Sequence, residues 1–110
     1  MINITKVENN NVNSVGLSIT LPSGENHPQM LMILCKRGYV MCGYLNIAAS
    51  DKFEDVAVII SGNTFEDLLN APVKAVSEKA KELGITIGML GKDAVDILNK
   101  YQIKKQIIDD

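Results

Sequence analysis

The sequence predicts a two-layer α/β sandwich of the α+β class, in which helices pack on one face of a mainly antiparallel sheet. Two observations predict this fold. Strand-like patterns fill the first half of the chain and helical patterns the second, with one short helical segment between strands. Several strands are apolar at successive positions, which is typical of strands that are covered on both faces.

Length and charge exclude several classes of protein. The 110 residues suit one domain, and we expect residues 1–101 to form it and residues 102–110 to be a tail whose helix frays. A net charge of -2 without interleaved basic and aromatic residues disfavours a nucleic-acid partner. No apolar run approaches the roughly 20 residues of a membrane span, and residues 1–7 lack a signal pattern. We therefore expect a soluble cytoplasmic protein with no membrane partner.

The first two strands are predicted to form an antiparallel hairpin. Residues Asn9 to Asn11 interrupt a period-two pattern, and asparagine tolerates the left-handed backbone of a tight turn. After the hairpin, residues 22–28 are rich in turn formers and predict a surface loop that holds His27. The alternating apolar residues are Ile2, Ile4, Val7, Val15, Leu17, Ile19 and Leu21.

A second hairpin is predicted from residues 29–35 and 39–45. Lys36 and Arg37 solvate its turn, and Gly38 is expected to supply a positive φ angle. Both strands are apolar at odd and even positions, as is the segment 56–60. We therefore expect both faces of the sheet to be covered there.

The helices are predicted from caps and apolar spacing. Asn46 and Thr64 are N-cap candidates for two short helices, and Gly84 is a left-handed end for a third. Residues 73–77 fit either a strand or the first turn of that third helix, and we favour a strand that leads into Ser77 as N-cap. A last helix is expected from about Lys92, with an apolar stripe of Ala94, Ile97, Leu98 and Tyr101.

Three segments together resemble one known family. They are residues 38–43 (GYVMCG), 64–69 (TFEDLL) and 80–94 (AKELGITIGMLGKDA). The chain is identified over about residues 2–98 as similar to the YunC-like family of small bacterial and archaeal proteins of unknown function. The resemblance implies a two-layer α/β sandwich and supplies no reaction, substrate or cofactor. The recurrent family positions that it matches are Gly38, Tyr39, Met41, Cys42, Gly43, Gly84, Gly88, Met89 and Gly91.

Cys42 is the one candidate catalytic residue. A nucleophilic or redox thiol needs a pKa lowered by a cation or a helix N-terminus, and the strand that holds Cys42 leads into the helix capped by Asn46. Free cysteine is, however, among the most buried residue types, and no histidine lies nearby in the sequence. The structural role is the favoured interpretation.

A disulfide between Cys35 and Cys42 is not expected. A two-residue turn at Arg37 and Gly38 would set Cys35 against Val40, leaving the cysteines as diagonal neighbours about 7–8 Å apart, which exceeds the Cα separation of a disulfide. A three-residue turn would place the two thiols on opposite faces. Either turn predicts free thiols, consistent with a reducing compartment.

The remaining candidate residues concern ligand binding. Gly43 within an apolar strand permits a bulge or the close approach of a ligand, and free amides near Lys92 permit anion binding at the last helix. A helix cap and a tight interhelical turn explain Gly84, Gly88 and Gly91 better than a phosphate loop. Two cysteines and one histidine are too few for the usual structural zinc site, and no cofactor is indicated.

Two functions from different classes follow. The first is a non-enzymatic homo-oligomeric domain whose second apolar sheet face is covered by another subunit, with a small-molecule ligand left open. The alternative is a thiol-dependent enzyme or redox protein that uses Cys42, with polar partners drawn from Tyr39, Asn46 and Thr64. The oligomeric state and the reactivity of the thiol discriminate between them.

Overall fold

The computed structural model describes residues 2–20, 29–43 and 46–100. Six strands form one sheet whose spatial order is the chain order, β1 to β6. The predicted loop around His27, the residues Leu21, Tyr44, Leu45 and Tyr101, and the tail lie outside the described residues. The elements are β1 Ile2–Asn9, β2 Val12–Ile19, β3 Met30–Leu34, β4 Tyr39–Met41, α1 Ile47–Lys52, β5 Ala57–Ile59, α2 Phe65–Asn70, β6 Ala75–Val76, α3 Glu78–Glu82 and α4 Gly91–Leu98.

The first hairpin is confirmed. Strand β1 pairs antiparallel with β2 over eight residue pairs, from Ile2 opposite Ile19 to Asn9 opposite Val12. Asn10 and Asn11 form the turn with φ angles of 55° and 64°. Two successive left-handed residues match the twist of the flanking strands, which is why a pair of asparagines suits this turn.

The second hairpin forms with a register that the sequence did not predict. Ile33, and not Cys35, lies opposite Val40, so Lys36 and Arg37 form the tip of the turn. Cys35 and Cys42 therefore share a face but are far apart along the strands, and both are free thiols, as predicted.

The predicted positive φ angle of Gly38 is wrong, because the left-handed glycines of the described chain are Gly84 and Gly88. Space is the reason for glycine at position 38. An added Cβ there would overlap the carbonyl oxygen of Val56.

Strands β4 and β5 are parallel, and α1 is the crossover between them. Strand β6 then pairs antiparallel with β5. The strand interpretation of residues 73–77 is confirmed, since Ser77 follows β6 and its Oγ accepts the Ala80 amide at 3.2 Å to cap α3. Ser77 Oγ also donates to the Asp55 carbonyl at 2.7 Å, which ties the start of α3 to the start of β5.

Helices α2, α3 and α4 pack on one face of the sheet and enclose the core. The sheet contributes Leu31, Ile33, Val40, Val58 and Ile60, each at most 1% exposed, and the helices contribute Leu68, Ala80, Ala94, Val95 and Leu98. Helix α4 approaches α2 so closely that an added Cβ on Gly91 would overlap the Leu68 carbonyl oxygen. The predicted α+β sandwich is confirmed.

None of the helices in the described parts of the chain is both long and apolar enough to cross a membrane.

Candidate functional site

The most prominent surface of the molecule is the sheet face opposite α2 and α4, which we call the open face. Strand pairing brings one side chain in two from each strand onto it. Lys6 and Glu8 are the charged side chains that the described strands place there. The apolar members are Ile2, Ile4, Val15, Leu17, Ile19, Met30, Met32, Leu34, Met41 and Ile59.

The apolar part of the open face is in contact with water. Ile2 is 64% exposed, Ile4 72%, Val15 45% and Leu34 41%. Leu17, Ile19, the three methionines and Ile59 are half-buried. Four strands at about 4.8 Å and three rows of side chains about 7 Å apart give a sheet area on the order of 400 Å². The largest apolar patch on a typical monomer measures about 300–600 Å² and is often functional, so this face is a candidate interaction surface.

Helix α1 covers one side of this same face. Its buried Ser50 places Oγ 3.4 Å from the Tyr39 hydroxyl, which also donates to Asp55 Oδ2 at 2.9 Å. Tyr39 and Ala57 are directly paired on the open face, and Ala57 is fully buried. The helix therefore lies over β5, and the apolar surface of β1 to β3 remains uncovered beside it.

Cys42 is buried and faces the helical layer. It is 5% exposed, and its Sγ accepts the Leu31 amide hydrogen at 3.4 Å while its own amide donates to the Leu31 carbonyl at 3.1 Å. The thiol thus takes the place of a carbonyl acceptor where the β3–β4 ladder ends. The hydrogen bonds of Cys42 within the described ranges join it to the Leu31 backbone and to no histidine, lysine or arginine.

The structure does not bring Tyr39 and Cys42 together. Cys42 directly follows β4 and lies three residues after Tyr39 in extended chain, so their side chains point to opposite faces of the sheet. Tyr39 belongs to the cluster under α1, and Cys42 belongs to the core side. A shared pocket for these two candidates is therefore absent from the described chain, although each ligand-binding assignment by itself stays a prediction.

Asn46 and Thr64 are engaged as helix caps, as predicted. Asn46 Oδ1 accepts the Ala48 amide and Thr64 Oγ1 accepts the Asp67 amide, each at 3.0 Å. Asp67 Oδ2 in turn accepts the Asn63 amide at 3.1 Å, so the third helical residue reaches back to the residue that precedes the N-cap. These bonds explain both residue types, because each side chain satisfies an amide that the helix cannot.

Gly43 lies exposed after β4, and an added Cβ would meet nothing within 4 Å. Its φ angle is not in the left-handed region either. The structure therefore gives no steric reason for glycine at this position, in contrast to Gly38 and Gly91. Its role toward a ligand stays a prediction.

Lys92 begins α4 beside the β1–β2 turn. Asn9 Nδ2 donates to the Lys92 carbonyl at 2.9 Å, and Asn10 Nδ2 donates to Asp96 Oδ1 at 3.0 Å. A groove of about 390 Å³ runs between these groups and is also lined by Asp93. Two carboxylates in the groove oppose the binding of an anion, so its electrostatics do not support the role predicted for Lys92.

Two titratable groups are shifted by their surroundings. Burial raises the pKa of the Cys35 thiol, and the Ser14 hydroxyl, 3.7 Å away, lowers it in part. Burial also raises the pKa of the Tyr39 hydroxyl. Ser50 opposes this shift and the Asp55 carboxylate adds to it. Neither group is tuned toward reactivity at neutral pH, since both stay protonated there.

No group of three or more histidine, cysteine or carboxylate side chains that could hold a metal ion occurs in residues 2–20, 29–43 and 46–100. Sequence reasoning missed the position of α1 on the open face, which follows from the parallel pairing of β4 with β5.

The chain is similar to proteins whose functions are also unknown. Residues 41–98 match the model of a domain of unknown function, DUF1805. An uncharacterised protein of Bacillus subtilis, YunC, is 27% identical over 100 residues, which cover 86% of this chain and 95% of YunC. A crystal structure of a protein of unknown function from Thermoplasma acidophilum is 32% identical with a TM-score of 0.80, and the match covers 90% of this chain and 94% of that one.

Proposed function

The chain belongs to the family of the domain of unknown function DUF1805, and from that premise we propose that it is a non-enzymatic domain that associates with a second copy of itself through the open face. The observation that carries the proposal is the large apolar area on β1 to β4 that the described chain leaves in water. The relatives of this chain are described as uncharacterised or of unknown function, so they suggest no activity for it.

The free energy of burying this face is sufficient to drive association. Each fully buried Ile, Leu or Met side chain contributes roughly 1.5–3 kcal/mol, and Ile2, Ile4, Val15 and Leu34 are the most exposed members. Association costs about 4–15 kcal/mol in lost translational and rotational freedom. Burial of the apolar side chains that β1 to β4 place on the open face, summed over both copies, exceeds that cost even though some of them are already half-buried.

A second copy is a suitable occupant because the face is complementary to itself. Its centre is apolar, and its two charged strand residues, Lys6 and Glu8, lie at one end of β1 and carry opposite signs. A two-fold axis places the same patch on both sides of the contact, so apolar side chains meet apolar side chains. The interface then has an apolar core and a polar rim, as stable interfaces do.

The proposal also includes the cellular location of the protein and the place of a ligand. We place the protein in the cytoplasm, where Cys35 and Cys42 remain reduced thiols. A small-molecule ligand, if the domain has one, is expected at the border between α1 and the open face, where the polar cluster of Tyr39, Ser50 and Asp55 meets apolar surface.

The alternative, a thiol-dependent enzyme or redox protein using Cys42, has less support. The buried sulfur already accepts a backbone amide, and the hydrogen bond that it forms in the described chain is to that amide and not to a base. Reactive cysteines are partly exposed and close to a cation or base.

Sedimentation equilibrium of the purified protein over a concentration series tests the proposal. The monomer has a mass of 12.0 kDa, and we expect twice that mass at micromolar concentration. A folded monomer throughout the series would overturn the proposal, because the open face would then be stable in water.

A further inference from the structure

Helix α1 is held on the open face mainly by hydrogen bonds. It has six residues, and Ser50 is the side chain that it buries. Ile47 is half-buried, whereas Ala48, Ala49 and the adjoining Phe53, which is 72% exposed, are in contact with solvent. A helix of this length has little stability of its own in water. Its position therefore depends on a small number of polar contacts.

The first of these contacts ties α1 to the sheet. The Tyr39 hydroxyl lies 3.4 Å from Ser50 Oγ and donates to Asp55 Oδ2 at 2.9 Å. Tyr39 is paired with Ala57, which has only a methyl group to pack against the helix. The Tyr39 hydroxyl therefore holds both α1 itself and the chain that leaves it.

The second contact ties α1 to α3, which lies in the helical layer on the other side of the sheet. Asp51 Oδ1 accepts the Glu78 amide at 2.7 Å, so a side chain of α1 caps the first turn of α3 and places a carboxylate at its positive end. Glu54 also lies 3.8 Å from Lys79 Nζ, but this ion pair is exposed and adds little. The two helices meet at the end of the sheet where β5 begins and β6 ends.

The chain leaves α1 through a strained residue. The Glu54 amide donates to the Asp51 carbonyl at 3.0 Å and the Asp55 amide donates to the Ser50 carbonyl at 2.8 Å, which is the Schellman pattern of a helix end. This pattern needs a left-handed residue, and Glu54 has a φ angle of 59° where glycine is usual. The docked helix therefore carries backbone strain that is released when it unwinds.

We propose that α1 is a releasable cover of the sheet, which opens as a unit while the rest of the domain stays folded. Opening breaks the Tyr39 bonds, relaxes Glu54 and uncovers the fully buried Ala57, so that the open face then extends to β5. The same movement withdraws Asp51 from α3 and leaves the Glu78 amide without its acceptor. A change on the open face is in this way transmitted to the helical layer, with no dependence on the association of two copies.

The rest of the domain has connections of its own and does not need α1. The Ala57 amide donates to Ser77 Oγ at 3.0 Å and the Ser77 amide donates to the Ala57 carbonyl at 2.9 Å, so β5 and β6 stay joined at this end. Ser77 Oγ also accepts the Ala80 amide, which keeps α3 capped when Asp51 is withdrawn. The apolar core lies on the other face of the sheet. Opening therefore costs less free energy than unfolding does.

Native-state hydrogen exchange, followed residue by residue by NMR, tests the proposal. The amides of Asp55 and Glu78, which we call the α1 reporters, lose their acceptors when α1 opens. The Ile60 amide, which donates to the Met41 carbonyl at 3.0 Å, reports on unfolding of the core. We expect the two α1 reporters to have the same opening constant, larger than that of Ile60 by about tenfold or more. Low concentrations of urea should leave this constant unchanged and raise that of Ile60, because the opening of α1 exposes little surface.

Either of two results in the wild-type protein overturns the proposal. If urea raises the opening constants of the α1 reporters in parallel with that of Ile60, α1 is released only when the whole domain unfolds. If the constant of Glu78 follows that of Ile60 while the constant of Asp55 does not, α1 opens without uncapping α3.

Tyr39→Phe keeps the ring and removes the hydroxyl that holds α1. We expect the opening constants of both α1 reporters to rise by the same factor, about tenfold, for the loss of these hydrogen bonds. The constant of Ile60 rises as well, because the folded state itself is destabilised. Unchanged constants of the α1 reporters would contradict the role of the Tyr39 hydroxyl in holding the cover.

Ser14→Ala is the matched control. It removes a buried hydroxyl on the helix side of the sheet, where Ser14 Oγ accepts the Asn99 Nδ2 hydrogen at 2.9 Å. This bond survives the opening of α1, so the substitution should raise the constant of Ile60 and leave those of the α1 reporters unchanged. An equal rise of all three constants would contradict the release of α1 as a separate unit.

Discussion

Ile4 of β1 lies directly opposite Leu17 of β2 on the open face, and 72% of Ile4 is exposed. The next residue, Thr5, is also exposed but points to the other face of the same strand. Substitutions at Ile4 and Thr5 therefore change the open face and the helix-side face, respectively, at the same place in the sheet.

Ile4→Lys is expected to dissociate the dimer while the subunit stays folded. The change places a charge in each half of the interface and removes two apolar side chains, each contributing roughly 1.5–3 kcal/mol when buried. We expect the dissociation constant to rise about 100-fold or more, measured by sedimentation. Thr5→Lys, which adds the same charge to the same strand, should leave the constant within about threefold. Equal effects of the two substitutions would argue against an interface on the open face.

Ile33→Ala and Leu34→Ala separate the core from the open face. Ile33 is fully buried among the helices, and its truncation should lower the free energy of unfolding by about 2–5 kcal/mol. Leu34 is 41% exposed, so its truncation to alanine should lower the free energy of unfolding of the isolated subunit by well under half of that amount. Urea denaturation at protein concentrations below the dissociation constant of the dimer gives both values. A larger loss for Leu34→Ala would mean that the subunit itself covers the open face.

Gly91→Ala and Gly43→Ala form a second matched pair. The added methyl group at position 91 overlaps the Leu68 carbonyl oxygen, so α4 must move away from α2, and we expect a loss of about 1–3 kcal/mol. At position 43 the methyl group meets nothing, and the stability should change by about 0.5 kcal/mol or less. Thermal denaturation of both variants is the measurement. A neutral Gly91→Ala would show that the helices are not in close contact.

The stability should decline at alkaline pH. Because the folded state raises the pKa of the Cys35 thiol and of the Tyr39 hydroxyl, it holds protons that the unfolded chain releases. Stability is therefore complete below the unfolded thiol pKa of about 8.5 and is lost as the pH rises through the raised values. Cys35→Ala should remove the first part of this decline in urea titrations. A decline unchanged by Cys35→Ala would assign it to other groups.

Cys42 should react with an alkylating reagent only when the protein unfolds. It is 5% exposed and its sulfur already accepts the Leu31 amide hydrogen, so a reagent has no access in the folded state. Peptide mapping after timed alkylation measures the rate, and adding urea should raise it to that of a free thiol. Modification of Cys42 in the folded protein faster than a free thiol would favour the enzyme alternative.

Local chemistry explains which parts of the fold were predictable from the sequence. The Asn10–Asn11 turn and the caps at Asn46, Thr64 and Ser77 were predicted correctly. Each depends on a side chain and backbone within a few residues of itself.

Features that depend on distant segments were not predictable in the same way. The sequence predicted a positive φ angle as the reason for glycine at position 38. The reason is instead the close approach of Val56, which directly precedes the neighbouring parallel strand β5. The position of α1 on the open face follows from that same parallel pairing. The exposure of Ile4 follows in turn from where α1 stops covering the sheet.

Oxidative footprinting of the methionines tests the central claim most directly. Met30, Met32 and Met41 lie on the open face, whereas Met89 packs against the helical core. Hydrogen peroxide converts accessible methionine to the sulfoxide, and peptide mapping gives a rate for each site. We predict that the three open-face methionines are protected in concentrated wild-type protein and become reactive on dilution and in Ile4→Lys, while Met89 does not change. Equal oxidation rates of the open-face methionines at all concentrations and in both proteins would contradict the burial of this face by a second copy.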